Sequence, residues 1–322
     1  MPLARFLVAI ACCGIAVAVA QNAGWPTRPL KLIVADGPGS ISDVRARQIG
    51  ARIGESLGQP VVIENRPGGS MTIAADAAAH SAPDGYTLFL GNVVTHSLNP
   101  LLMKGLTYRP EEDFTPVTLL SAGPLFLVVH PSVPVTTLEE LVAYEKANRG
   151  KLNYGAIGQG SPGHVVMEQM NALRGTHFTL VPYKSTAQYL LDLVNGQLHL
   201  SLNYWPSLAG HIKAGKLRVL AVAGPRRLAV ASEVPTFEEA GFPGIDGSSW
   251  QGIFVPAGTP RPIVKRLHEE LVKALEAPEI RSVILEGGSE VGGQSPDEFA
   301  AYVAADRARW KKAIAESGVK LD

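Results

Sequence analysis

The chain is 322 residues long and carries 29 Lys and Arg against 29 Asp and Glu, a formal charge of zero. That balance leaves no basic footprint of the kind nucleic acid requires. The two cysteines, Cys12 and Cys13, stand together near the start, and the length admits two domains of ordinary size, each with its own core.

Arg5 precedes an unbroken apolar run from Phe6 to Ala20 that ends in Ala18-Val19-Ala20. This is the layout of a signal peptide with small residues at its cleavage site. The competing reading, an uncleaved anchor, would need about 20 apolar residues to span a bilayer. Ala9-Ile10-Ala11 makes a poor lipid-attachment signal ahead of Cys12, so export with cleavage after Ala20 is expected, residues 1–20 being removed. Cleavage takes both cysteines and Arg5, leaving 28 basic residues against 29 acidic ones. A mature chain without thiols has no disulfide, thiolate nucleophile or cysteine metal ligand.

Strands and helices then alternate. Leu30 to Ala35 reads as a buried strand, followed by a helix capped at Ser42-Asp43 and running to about Leu57. Pro60 to Glu64 is a second strand, Thr72 to Ala79 an alanine-rich helix, and Tyr86 to Gly91 a third strand. This βαβαβ series predicts a parallel sheet with right-handed crossovers.

A second series starts after Gly123-Pro124. It runs through a strand (Leu125 to His130), a helix (Leu138 to Asn148) with Thr136 and Glu139 as capping box, and a strand (Leu152 to Ala156). A helix (Gly163 to Leu173), a strand (Phe178 to Val181), a helix (Ala187 to Val194) and a strand (Leu198 to Leu202) follow. Leu217 to Ala223 leads back, Trp250 to Val255 adds a strand to the first unit, and the tail is helical, with a capping box at Ser295 to Glu298. The α/β pattern describes two lobes joined by two crossings: 21–123 plus 225–322, and 124–224.

The loops after these strands are rich in Asn, Gly, Ser and Thr, and in open α/β sheets ligands bind at the carboxyl ends of the strands. They offer N–H groups and hydroxyls but no strong acid, base or metal ligand, which suits holding a molecule more than converting it. Gly158-Gln159-Gly160-Ser161-Pro162-Gly163 matches G-x-G-x-x-G after a strand, but the acidic residue expected about 20 positions on is missing from Thr179 to Lys184. A nucleotide cofactor is therefore not expected, whereas a carboxylate at that helix N-terminus uses the same physics. His164 and Glu168 share a helix face; with no third ligand, a hydrogen-bonded pair is a better reading than a metal site. His96 reads either as a ligand contact or as an organiser of its loop. Tyr183 and Asn203, at strand ends, read either as ligand contacts or as loop caps. Trp250 reads as core more readily than as a cleft wall. No G-x-S-x-G elbow or ordered catalytic triad is present.

Several segments resemble the tripartite tricarboxylate transporter substrate-binding proteins, the Bug family of bacterial periplasmic receptors. They are Trp25-Pro-Thr-Arg-Pro29, Leu57 to Gly68, Pro83-Asp-Gly-Tyr-Thr-Leu88, Thr95-His96 with Asn99-Pro100, and Lys151-Leu-Asn-Tyr-Gly155. Val181-Pro-Tyr-Lys184, His211 to Arg218 and Pro256-Ala-Gly-Thr-Pro260 complete them, so the likeness covers the mature chain. It implies a type II periplasmic-binding-protein fold, two α/β lobes around a ligand cleft, without enzymatic activity or cofactor. It also implies a monomer that passes a small carboxylated solute to a two-subunit membrane permease.

The departures fall in the ligand loops. Asp36 stands where the family has Phe, Ser40 and Ile41 where it has Gly, and Ser70-Met71 and Ser185 interrupt other glycine positions. The family's Phe-Asp-Asn becomes Leu202-Asn203-Tyr204. The expected ligand contacts are Gly39, Ser40, Ser42, Ser70, Thr95 and His96 from one lobe and Gln159, Ser161, Tyr183 and Asn203 from the other. No catalytic or metal-binding residue is expected. The ligand is expected to be an organic acid, amino acid or amide. Asp36 either faces the cleft, disfavouring a simple dicarboxylate, or caps a turn at Gly37-Pro38 in solvent. Two other classes remain in view: a sensing subunit for a membrane signalling partner, and an enzyme on the same scaffold.

Overall fold

The structure, a computed structural model, describes residues 24–320. The expected export signal and its cleavage point, with Cys12 and Cys13, lie outside the described residues. Among the described residues no helix is long and apolar enough to cross a membrane.

The first apolar runs form strand β1 (Leu30–Val34), helix α1 (Ile41–Leu57), strand β2 (Val61–Asn65), a 3₁₀ turn (Gly69–Met71), helix α2 (Thr72–Ala79) and strand β3 (Thr87–Asn92). β1 is parallel to both neighbours, pairing Leu30 with Val61 and Lys31 with Thr87. A π-helical turn (Val94–Leu98) and short helix α3 (Asn99–Leu102) lead to β4 (Phe114–Gly123), a long strand not expected from the sequence. Pro116 disguises it, because proline cannot donate to a ladder and is admitted only at edges and irregularities. Here the register with β10 (Ser249–Pro256) shifts beside the Phe254–Pro116 pair.

The second series is β5 (Leu125–Val129), α4 (Leu138–Ala147), β6 (Asn153–Ile157), α5 (Pro162–Arg174) and β7 (Thr179–Tyr183). It continues with α6 (Thr186–Val194), β8 (Leu200–Asn203), α7 (Trp205–Lys213) and β9 (Arg218–Ala223). Helix α7 replaces an expected loop: Pro206 sits in its first turn, where the missing N–H costs nothing. These strands make a sheet of order β7-β6-β8-β5-β9, with β6 parallel to β7 and β8, and β5 antiparallel to β8 and β9.

The chain returns through β10, antiparallel to β3 and β4, then α8 (Arg261–Glu276), α9 (Pro278–Glu286), β11 (Glu290–Val291) and α10 (Pro296–Ser317). The first sheet has the order β11-β4-β10-β3-β1-β2. α10 begins with the expected Ser295–Glu298 capping box. It also packs across onto α5 of the other sheet: Val165, Val166 and Met170 share a buried cluster with Trp310 and Ala313. Gln169 Nε2 donates to Glu316 at 3.2 Å along the same contact.

Two helix starts differ from expectation by one or two residues. α1 is capped by Ser40, not Ser42, and α4 by Thr137, whose hydroxyl accepts from the Glu140 N–H. Thr136 instead donates its N–H and hydroxyl to the Glu140 carboxylate.

Candidate functional site

The loops carrying the expected contacts leave the carboxyl ends of β1, β2 and β3 in one sheet and of β6, β7 and β8 in the other. Asp36 follows β1 and Tyr204 follows β8. Burial pushes the Tyr204 phenol up to about 12, with Ser249 acting the other way and the Asp36 carboxylate adding to the rise.

In the loop after β1, Ser40 Oγ accepts from the Asp43 N–H at 3.1 Å, while the Asp43 carboxylate accepts from the Gly39 N–H at 2.9 Å. Asp43 is buried, and the hydrogen bond from Arg47, then that from Gly39, holds its pKa down to about 2. Gly39 and Ser40 therefore spend their groups on the helix cap. The N–H groups of Ile41 and Ser42 are left open at the α1 N-terminus, where the helix dipole favours an anion.

Arg45 was not expected here. It lies three residues after Ser42 and four before Ile49, both buried, so helical spacing brings it to the inward face of α1. Its Nη1 donates to Ser121 Oγ at 2.5 Å and to Gln251 Oε1 at 2.9 Å. Ser121 and Gln251 are cross-strand partners at the ends of β4 and β10 where the crossings begin. Gln251 Nε2 donates to Ser42 Oγ at 2.7 Å. A polar relay thus runs from the Arg45 cation through the Gln251 carboxamide to the Ser42 hydroxyl. Burial pushes the Arg45 pKa down to about 10, which leaves it charged at neutral pH. Burial raises the Asp36 pKa, with Ser42 acting the other way. Asp36 is half-buried, so it does not stand in open solvent.

The loop after β2 is unusual: Gly68, Gly69, Ser70 and Met71 all have positive φ, at 117°, 56°, 52° and 71°. Side chains rarely adopt this region, at a cost of order 1 kcal/mol each, so Ser70 and Met71 are held there by their surroundings. Asn99 Nδ2 donates to the Ser70 carbonyl at 2.9 Å, and Asn92 Nδ2 donates to Met71 Sδ at 3.2 Å. The Ser70 side chain is exposed.

After β3, Thr95 and His96 turn inward. Thr95 Oγ1 accepts from the Asn92 N–H at 3.0 Å and meets His96 Nδ1 at 2.9 Å. The His96 ring stacks on Phe254 with centroids 3.8 Å apart, and burial, then the charge of Arg307, pushes its pKa down to about 3. Its place is the organisation of this loop within the core. Trp250 is buried beside it and donates Nε1 to Asp306 at 2.8 Å.

In the second sheet, Gly158 to Gly163 forms the loop between β6 and α5. The Ser161 hydroxyl donates to the Gly158 carbonyl at 3.1 Å, and the Gly160 N–H donates to His164 Nδ1 at 2.9 Å. His164 accordingly caps this loop, while Glu168 accepts from the Tyr154 hydroxyl at 2.8 Å. The two do not form the expected pair with each other. Among the described residues no three His, Cys, Asp or Glu side chains gather as metal ligands. Gln159 is exposed. The Tyr183 hydroxyl donates to Asp192 at 2.6 Å, which turns it towards α6. Asn203 is buried; its Oδ1 accepts from the Tyr204 N–H, and its Nδ2 has no partner among the described residues.

A cavity of about 360 Å³ lies at the crossings, lined by Gly123, Pro124, Pro225, Ser248, Tyr302 and Arg309 among others. None of the ten expected contacts lines it. Its charges are paired internally, Arg309 with Asp306 and Asp246, and Arg226 with Glu290, so it offers no free charge to a ligand.

Residues 45–319 match the family of tripartite tricarboxylate transporter receptors. The chain is 33% identical over 317 residues to the protein BugT of Bordetella pertussis, covering 97% of this chain and 96% of that one. Among solved structures, Rhodopseudomonas palustris Rpa4515 with adipate is 38% identical with a TM-score of 0.86, covering 92% of this chain and 99% of that one. MatC of the same organism, with bound malate, is 34% identical with a TM-score of 0.82, covering 90% and 100%. The chain has the periplasmic-binding-protein fold of these relatives and belongs to the tripartite tricarboxylate transporter receptor family, that of the Bug proteins.

Proposed function

We propose that the chain is a periplasmic receptor that captures a small carboxylate-bearing solute between its two lobes, unchanged chemically, and hands it to a two-subunit membrane permease. The lobes are 21–123 with 225–322, and 124–224; export by the segment ending at Ala20 places the receptor in the periplasm as a monomer. The observation that carries this reading is the match of residues 45–319 to the tripartite tricarboxylate transporter receptors, with Asn, Gly, Ser and Thr loops at the carboxyl ends of the strands in both sheets. The N-termini of α1 and α5 add partial positive charge beside these loops, which favours an anion. Rpa4515 with adipate and MatC with malate support an organic acid as the class. Asp36 narrows it, because a carboxylate at the cleft repels a second ligand carboxylate and accepts a donor such as an amine, amide or hydroxyl. Thermal-shift screening of the mature protein against mono-, di- and tricarboxylates and their amides tests the reading. Stabilisation by at least one acid, and not by the amide in which every carboxylate is replaced, is expected; stabilisation by none of the acids would overturn it.

A further inference from the structure

We infer that Arg45 is the cationic anchor of the cleft, holding one carboxylate of the bound solute at the point where β4 and β10 enter the crossings. This rests on the receptor reading above. Among the described residues no carboxylate forms an ion pair with Arg45, whereas Arg47 pairs with Asp43, Arg307 with Glu111 and Arg309 with Asp306. A guanidinium drawn into protein without a counter-charge is costly, and an anionic ligand removes that cost. Its Nη1 is already committed to two neutral acceptors, Ser121 and Gln251, which fix the plane of the group. Nε and Nη2 remain, and a planar pair of N–H donors matches the two oxygens of a carboxylate.

The relay extends the argument to selectivity. Gln251 links Arg45 to Ser42, and among the described residues no ion pair joins Arg45 to Asp36, so the cation is not quenched by that carboxylate. A solute with one carboxylate on Arg45 and a hydrogen-bond donor towards Asp36 satisfies both ends. Ser121 and Gln251, which hold Arg45, stand at the ends of β4 and β10, so Arg45 is fixed beside the strands that enter the crossings.

The purely structural alternative, in which Arg45 only braces α1 against β4, predicts no dependence on ligand charge. Wild type, Arg45→Lys and Arg45→Gln are titrated by calorimetry with adipate, malate, glutamate and adipamide. For whichever acid binds, Arg45→Gln is expected to lose about 100-fold in affinity. Arg45→Lys, which keeps the charge without the fork, is expected to lose about 10-fold. Adipamide, with no carboxylate, is expected to bind none of the three. If both variants bind the acid as wild type does, the anchor lies elsewhere and the receptor reading stands; if wild type binds no acid, both fall. A second measurement needs no variant: the Arg45 Nε–H resonance of wild type shifts on adding the acid, and an unshifted resonance at saturation overturns the inference.

Discussion

The Gln251 carboxamide donates to Ser42 Oγ at 2.7 Å, across 209 positions of sequence. That contact turns its oxygen towards Arg45, 2.9 Å away, and so joins α1 to the strand that re-enters the first sheet. The relay is a consequence of register, since Gln251 stands opposite both Asn92 on β3 and Ser121 on β4.

Gln251→Glu places a carboxylate against Arg45 at nearly unchanged volume. The new ion pair competes with the solute, so affinity for carboxylates is expected to fall at least about 10-fold, while the melting temperature holds or rises. Calorimetry together with thermal melting checks this. Undiminished affinity would place the solute away from Arg45.

Asp36→Asn separates stability from selectivity. Burial raises the Asp36 pKa above its ordinary value near 3.8, so ionisation of the folded state is penalised and stability falls as pH rises through that raised pKa. The Asn variant is therefore expected to be more stable than wild type at neutral pH, the advantage fading below the ordinary carboxylate range. It is also expected to bind dicarboxylates more tightly. Equal dicarboxylate affinity in both proteins would show that Asp36 does not select the ligand.

His96 gives the opposite pH dependence. Its folded pKa lies at about 3 against an ordinary 6.5, so the unfolded chain takes up its proton first. The stability from the neutral buried ring is complete above 6.5 and is lost as pH falls towards 3. An imidazole proton resonance of His96 that does not titrate above about pH 5 is expected by NMR; a midpoint near 6 would contradict this burial.

Tyr183→Phe removes the donor held by Asp192 and leaves that carboxylate short of a hydrogen bond. A stability loss of about 1–3 kcal/mol is expected, with ligand affinity unchanged within a factor of about three. Chemical denaturation and calorimetry on the same sample check both. A large affinity loss with normal stability would return Tyr183 to the binding surface.

Nearly every strand was legible in the alternation of apolar runs and Gly- or Asn-rich loops, whereas the strand order and the antiparallel pairs of β4, β5, β8, β9, β10 and β11 were not. β4 was hidden by Pro116, which reads as a strand breaker unless a register shift accommodates it. α7 was hidden by Pro206, which reads as a loop residue unless it falls in a first turn. The site was less legible, because local spacing does not say where a polar group finds its partner. Ser40 spends its hydroxyl on the α1 cap, and Tyr183 spends its own on Asp192, 9 positions away. Arg45 carried one signal, a charge at the spacing of the buried face shared by Ser42 and Ile49. Its partners come from residues 76 and 206 positions on, which no local pattern reveals.

The central claim is that this chain holds a carboxylate-bearing solute without transforming it. Native mass spectrometry of the protein purified from the periplasm of its producing cells tests this most directly. A one-to-one complex is expected, which releases an intact organic acid on denaturation and gives no second product after prolonged incubation with that acid. Release of a compound with no carboxylate, or turnover of the acid into another species, would contradict the account.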